Sequence, residues 1–365
     1  MKILTVIGAR PQFIKAAVVS RVVAERHANG AKLQEVLVHT GQHYDENMSQ
    51  IFFDELGIPR PEYNLEISQS SHGRMTGRML EKLDDLIQDE APDWVLVYGD
   101  TNSTIAGALA AVKLHVPVAH VEAGLRSYNR RMPEEINRVL TDHAADLLFT
   151  PTDIAVENLR KEGVAQNKIR PSGDVMFDSS IYFGRKAEEA SKILEQLGLE
   201  QGSYILATCH RAENTDDEGR LRAIFEGLSE AATKIPVVLP LHPRTRGRLE
   251  KLGILGSVGE KIKLVDPVGY LDMVMLEKHA ALVVTDSGGV QKEAFFFKVP
   301  CVTLRDETEW VELVELGWNR LVSPTSGIVV TEGIQAALGT KGKEGQPYGR
   351  GNVAELIVDA LIAAG

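Results

Sequence analysis

Asp286-Ser287-Gly288-Gly289 ends an apolar run, Ala281 to Val284, and opens a stretch that reads as a helix over 288–297. Ser287 and two glycines at a helix start leave backbone N–H groups bare where the dipole is positive, so an anion can approach closely. This is a cradle for a diphosphate, without the Lys of a P-loop. Glu293, on the same helix, is placed to accept from ribose hydroxyls, or is an exposed helix acid. Three candidate carboxylates, Asp100, Glu122 and Glu134, lie upstream. Asp100 stands in Tyr98-Gly99-Asp100-Thr101-Asn102, where Thr101 or Asn102 would cap the next helix. Glu122 closes an otherwise apolar strand, a costly place for a charge unless it is paired or used. Glu134 and Glu135 follow Pro133 at a helix start, where acids also satisfy the dipole.

Cations are gathered locally. Arg10 and Lys15 follow Gly8, which permits a tight turn, and Pro11, which suits the first helical position. Cations at a helix N-terminus oppose the dipole, so an anionic ligand is a reason to tolerate them there. His210-Arg211 follows another apolar run, and His242 sits in Pro240-Leu241-His242-Pro243-Arg244 after the next. A held anionic leaving group, with acid–base chemistry from the carboxylates, is the economical reading.

The elements that position these residues alternate along the chain. Strands are predicted at 2–7, 35–39, 94–98, 117–121, 146–149, 204–208, 236–240, 262–265, 281–285 and 300–304. Helices are predicted at 11–28, 72–90, 102–114, 134–144, 217–233 and 288–297. Continuous rather than alternating hydrophobicity marks strands buried on both faces of parallel sheets. The expected class is α/β, as two Rossmann-like doubly wound domains. The first is expected over 1–175 with the carboxylates and the second, binding the diphosphate, over 176–351. The last helix, 352–365, is expected to cross back to the first. The candidate residues all follow strands, where ligands sit in open α/β sheets.

With 365 residues, 44% hydrophobic and 25% charged, the chain is long enough for two cores. A net charge of −11 argues against nucleic acid or an anionic membrane as partner. The N-terminal apolar stretch is too short for a signal segment, and no run of about 18 apolar residues is present. Cys209 and Cys301, in apolar runs, read as core thiols, and the expected compartment is the cytoplasm. No G-x-G-x-x-G follows a strand, and Walker A, G-x-S-x-G and D-x-D motifs are missing. His39 and His43 straddle Gly41 at a strand end, a poor metal pair. Neither a cofactor nor a metal is therefore expected.

Nine ordered motifs carry a resemblance: GARPQFIKAA, TGQHYDENM, VYGDTNST, HVEAGLRS, PEEINR, SGDVMFDS, CHRAENTD, DSGGVQKEA and RDETEW. The chain resembles the non-hydrolysing UDP-N-acetylglucosamine 2-epimerases. The resemblance implies a GT-B-type fold around a central cleft. It also implies interconversion of UDP-GlcNAc and UDP-ManNAc by elimination and re-addition of UDP, for cell-surface polysaccharide precursors. Asp100, Glu122 and Glu134 match the family's catalytic carboxylates, with His210 near the diphosphate. Arg10, Lys15, His210, Ser287, Gly288, Gly289 and Glu293 match residues that contact UDP, and Tyr270 an aromatic by the uracil. A regulatory nucleotide-sugar site maps onto Gln42, His43 and His242, with Tyr44 where the family has Arg. A homodimer is implied as well.

Ala212 and Trp310 stand where the family usually has Arg. With PLHPRTR and QKEAFFF they are similar to the branch holding UDP-2,3-diacetamido-2,3-dideoxyglucuronate 2-epimerases. That substrate is one alternative; Arg244, Arg246 or Lys292 would face its extra carboxylate. A GT-B glycosyltransferase is the other.

Overall fold

Every strand pairing among the described residues is parallel, in two sheets. The structure is a computed structural model and describes residues 1–42, 53, 57, 59–68 and 70–365. The first sheet contains β1 (Lys2–Ile7), β2 (Gln34–His39), β3 (Tyr63–Asn64), β4 (Trp94–Tyr98), β5 (Val118–Val121), β6 (Leu147–Thr150) and β7 (Ile169–Pro171). Its order is β3-β2-β1-β4-β5-β6-β7. The second contains β8 (Ile205–Thr208), β9 (Val237–Pro240), β10 (Lys263–Val265), β11 (Leu282–Thr285), β12 (Cys301–Thr303) and β13 (Asn319–Leu321), ordered β10-β9-β8-β11-β12-β13. Both are doubly wound.

The chain divides into two compact units, Met1–Tyr182 with Gln346–Gly365, and Phe183–Gly345. The first break lies inside helix Val175–Ala190. In the first unit Val6 is in register with Val38 on one side and Val97 on the other, and all three are fully buried. Helix Asn102–Lys113 packs so closely that a Cβ at Gly107 would lie 3.1 Å from Val97. Helix His72–Glu90 buries Met75, Met79, Leu83, Leu86 and Ile87, a stripe at helical spacing. The second unit has its own core. Helices Glu218–Ala231 and Gly327–Ala337 meet at Gly227, where a Cβ would stand 2.5 Å from Val330.

The C-terminal helix, Val353–Ala364, is fastened into the first unit by its ends and its face. The Asp178 carboxylate accepts from the Ala354 N–H at 3.0 Å, and Arg26 reaches Asp359 at 2.9 Å. Gly173, at φ +88, lets the backbone of Tyr348 approach; a Cβ there would be 2.5 Å from the Tyr348 carbonyl oxygen. Both cysteines are buried and free. Burial pushes the Cys301 thiol up to about 12, so neither is poised to react. No helix among the described residues is long and apolar enough to cross a membrane.

Candidate active site

Each sheet reverses its winding at one place, and four of the loops singled out above leave the strands that flank those places. In the first sheet the reversal lies between β1 and β4. The Gly8–Pro11 loop follows β1, and the Gly99-Asp100 loop follows β4. In the second it lies between β8 and β11, followed by His210-Arg211 and by Asp286-Ser287-Gly288-Gly289.

In the first unit Gly8 is glycine because of crowding, not because of a turn. A Cβ there would stand 2.1 Å from Thr40 Oγ1 and 2.2 Å from Ser103 Oγ. The backbone N–H groups of Gly8 and Ala9 both donate to the Gln12 side-chain oxygen Oε1, at 2.8 and 2.9 Å. The Gln12 amide in turn donates to the Tyr98 carbonyl (2.7 Å), clamping β1 to β4. Thr101 is the cap of helix Asn102–Lys113, accepting from the Thr104 N–H at 3.3 Å. Arg10 opens helix Arg10–Ala28 and is half-buried.

Lys15 lies inside the unit rather than on its surface and forms a close ion pair with Glu122. Glu122 sits at φ +72, a conformation L-residues rarely adopt, and its N–H donates to the Phe149 carbonyl at 3.1 Å. The charge at the strand end is thus paired. A Cβ on Gly99 would lie 3.3 Å from Glu122 Oε2 and 3.7 Å from Lys15 Nζ, so the Asp100 loop passes directly over this pair. Asp100 accepts from Arg138 Nε at 2.9 Å, and Asn137 Nδ2 donates to its carbonyl at 2.9 Å. Desolvation raises the Asp100 carboxyl, Arg138 opposes it, and the Glu122 charge adds to the rise. Asp100, Glu122 and Lys15 therefore form one cluster.

Helix Pro133–Ala144 supplies the supports. Glu134 is half-buried at its start. Its neighbour Glu135 is buried and accepts from the N–H groups of Ser127 and Tyr128, each at 2.9 Å, and from Arg138 at 2.7 Å. Glu135 thus holds the loop at Ser127 and Tyr128. Asp142, four residues past Arg138, is fully enclosed. It accepts from His120 Nδ1 (2.8 Å), the Gly124 N–H (3.0 Å) and Arg126 Nη1 (2.7 Å). Burial alone would raise the Asp142 carboxyl, but His120 and Arg126 outweigh it and hold it below the ordinary range. Glu135 is likewise depressed, by Ser127, Tyr128 and Arg138 against its burial. A depressed native pKa contributes stability above the unfolded value, about 4, and loses it as pH falls through the native value. Urea unfolding of the wild type between neutral pH and pH ~3 is expected to show that loss below pH ~4. Asp142→Asn is expected to flatten the slope.

In the second unit Asp286 organises the other pair of loops. Fully buried, it accepts from the N–H groups of His210 and Arg211, both at 3.0 Å, and from Asn214 Nδ2 at 3.1 Å. The Thr208 and Thr285 hydroxyls bond at 2.6 Å just below. His210 is left 41% exposed at the side chain, its ring 5.7 Å from that of His242. Desolvation and the neighbouring His210 pull the His242 imidazole below its usual range.

Helix Gly288–Phe296 begins with Ser287 as cap residue, yet the Ser287 hydroxyl caps no amide and the first turn holds no acid. A Cβ on Gly288 would find nothing closer than Trp310 Nε1 at 3.8 Å, and on Gly289 nothing closer than Glu293 Oε2 at 3.9 Å. Neither has a positive φ. The fold asks for glycine at neither position. Glu293, 7% exposed, accepts from the Tyr270 hydroxyl at 3.1 Å. The Tyr270 ring is buried edge-on to Phe183, 5.4 Å between centroids. Burial and the Glu293 charge push the carboxyl of Glu277, beside this pair, well above the ordinary carboxylate range.

The residues named for regulation are placed differently. Gln42 accepts, through its side-chain oxygen, from the Ser103 N–H in the first turn of helix Asn102–Lys113, at 3.1 Å. His43 lies outside the described residues. His242 caps helix Pro243–Lys251, its Nδ1 accepting from the Arg244 N–H at 3.1 Å. The cations named for a further sugar carboxylate are engaged: Arg244 with Asp216 (2.6 Å), Arg246 with Asp266 (3.1 Å), and Lys292 4.1 Å over the Trp310 ring. Among the described residues no group of three or more His, Cys, Asp or Glu is placed to hold a metal.

Sequence reasoning did not assign duties to Gln12, His120, Asn137, Arg138, Asp142 or Asp286. The one signal available was the spacing of Asn137, Arg138 and Asp142 along a helix that also carries Glu134.

Two doubly wound parallel sheets with polar loops at both switch points define an α/β protein of the GT-B type. The family profile described as UDP-N-acetylglucosamine 2-epimerase matches residues 25–362, and the chain belongs to that family of isomerases. A UDP-2,3-diacetamido-2,3-dideoxy-D-glucuronate 2-epimerase of Pseudomonas aeruginosa is 56% identical over 365 residues, 99% of each chain. The crystal structure of Methanocaldococcus jannaschii UDP-GlcNAc 2-epimerase in complex with UDP-GlcNAc and UDP is 43% identical and covers 100% of both chains, with a TM-score of 0.88. That of the Neisseria meningitidis UDP-GlcNAc 2-epimerase bound to UDP-GlcNAc is 32% identical, again over 100% of both, with a TM-score of 0.88.

Proposed function

We propose that this chain interconverts UDP-GlcNAc and UDP-ManNAc without hydrolysis, by eliminating and re-adding UDP. The observation that carries the reading is the start of helix Gly288–Phe296. Two glycines that no turn or neighbour requires leave bare amides at a positive helix end with no acid to answer them. Glycine in a helix costs about 1 kcal/mol relative to Ala, so their presence is explained by a ligand that needs the room. The diphosphate binds there, with His210 adding positive charge and Glu293 accepting from the ribose. Tyr270 acts by holding Glu293.

The C2 hydrogen of the sugar is not acidic, since no carbonyl adjoins C2. Breaking the C1–O bond to UDP while a base removes that proton gives a 2-acetamidoglucal and UDP. Protonation of C2 from the opposite face, with return of UDP to C1, completes the inversion with atoms balanced. Glu122, an ionised carboxylate beside Lys15, is assigned the proton removal. Asp100, whose carboxyl is raised, and Glu134 are assigned its return. Charge building on the departing diphosphate is met by the Ser287 loop.

A second reading has one specific support, the 56% identity with the diacetamidoglucuronate enzyme of Pseudomonas aeruginosa. It keeps every step and changes only the sugar. Incubation with each nucleotide in D2O tests both: C2 deuterium uptake with the 2-epimer formed and UDP retained is expected. UDP released only with an acceptor, and no deuterium at C2, would replace the epimerase with a glycosyltransferase. A cytoplasmic homodimer serving polysaccharide precursor synthesis, touching neither nucleic acid nor membrane, completes the proposal.

A further inference from the structure

His120 and Asp142 lie away from solvent, both at 0% side-chain exposure, in a place no proton-transfer role explains. The His120 ring is held at both nitrogens. Nε2 donates to the Gly99 carbonyl at 2.7 Å, and a carbonyl can only accept, so Nε2 carries a hydrogen. Nδ1 faces Asp142 Oδ1 at 2.8 Å, and Asp142 already accepts from Gly124 and Arg126 on its other oxygen. The ring is thus fixed from both sides, by the Gly99 carbonyl at one nitrogen and the Asp142 carboxylate at the other.

The connections run to both sides of the acid–base cluster. Through His120 the carboxylate grips Gly99, the residue before Asp100. Through the Gly124 N–H it grips the strap two residues after Glu122. Asn158 pulls on the same strap, donating to the Gly124 carbonyl at 3.0 Å. Gly124 admits no side chain, since a Cβ would lie 2.4 Å from the Ala155 carbonyl oxygen. Glu122 itself sits in a backbone conformation that relaxes once unrestrained.

We propose that His120 and Asp142 form a buried histidine–carboxylate strut that sets the spacing between Asp100 and Glu122, making both positioning residues for proton transfer at C2. The inference rests on the reading of Asp100 and Glu122 given above. An error of about 1 Å in such a spacing costs on the order of 10²-fold in rate. Replacing either partner breaks the bond between Nδ1 and the carboxylate while leaving the second unit, where UDP binds, untouched.

The test uses Asp142→Asn and, as a milder change, His120→Gln in the full-length protein. Rates are normalised to the fraction that binds UDP, and thermal unfolding is followed in parallel. The expected result is kcat lower by about 10²-fold, KM within about twofold, and a larger deuterium isotope effect from C2-labelled substrate. That last change marks proton transfer, which loss of fold alone would not move. A kcat that falls only in proportion to the UDP-binding fraction, or an unchanged isotope effect, overturns the strut. Wild-type protein that takes up no deuterium at C2 overturns the underlying reading instead, and the strut with it.

Discussion

Glu122→Gln is expected to lower kcat by about 10³-fold, within the range general acid–base groups contribute, while UDP affinity stays near wild type. Two consequences follow from the geometry. The amide cannot take the C2 proton, and the Lys15 ammonium, enclosed beside it, is left without its counter-charge. Breaking a buried pair at one end costs about 3–5 kcal/mol, toward the lower end here because both side chains keep some exposure, 9% and 11%. The variant therefore also unfolds at lower temperature. Adding Lys15→Met removes the stranded charge and is expected to recover part of the melting temperature but none of the turnover. Steady-state kinetics with a thermal melt on all three proteins separates the two effects. A Glu122→Gln enzyme within about tenfold of wild-type kcat would remove Glu122 from the chemistry.

Gly289→Ala should move stability and binding in opposite directions. The added methyl meets nothing nearer than 3.9 Å and the backbone needs no glycine, so the fold tolerates it. Replacing Gly by Ala in a helix stabilises by about 0.5–1 kcal/mol. The same methyl occupies the approach to the bare amides, and UDP affinity is expected to fall tenfold or more, about 1.4 kcal/mol or above. Titration calorimetry with UDP and a thermal melt measure both. Unchanged affinity would mean that the diphosphate is held elsewhere. Contrast Gly124, where a Cβ would collide with backbone at 2.4 Å and alanine would simply damage the fold.

The ten predicted strands all appear, at most two residues from their expected ends; the run expected over 300–304 is the strand Cys301–Thr303. Strands buried on both faces announce themselves as unbroken apolar runs. The three that went unread, Tyr63–Asn64, Ile169–Pro171 and Asn319–Leu321, each stand at a sheet edge. Such pieces are too short for any run, and their pairing comes from the neighbouring strand. Helix Tyr270–Lys278 also escaped, because it is apolar nearly all round and carries no stripe.

Periodicity and turn residues are local properties, and by themselves they determined the fold class, ten of the strands and the buried thiols. They also showed that a charge such as Glu122 had to be paired or used. Which partner it takes depended on strand order. Placing β4 between β1 and β5 brings Lys15 to Glu122 across 107 positions of chain, and placing β8 beside β11 brings Asp286 under the His210 loop across 76. Only the tertiary structure could decide that Lys15 points inward, that Gly8 yields to Thr40 and Ser103, and that His120 is gripped at both nitrogens. A side chain's neighbours come from the winding of the sheet, and no window of sequence contains it.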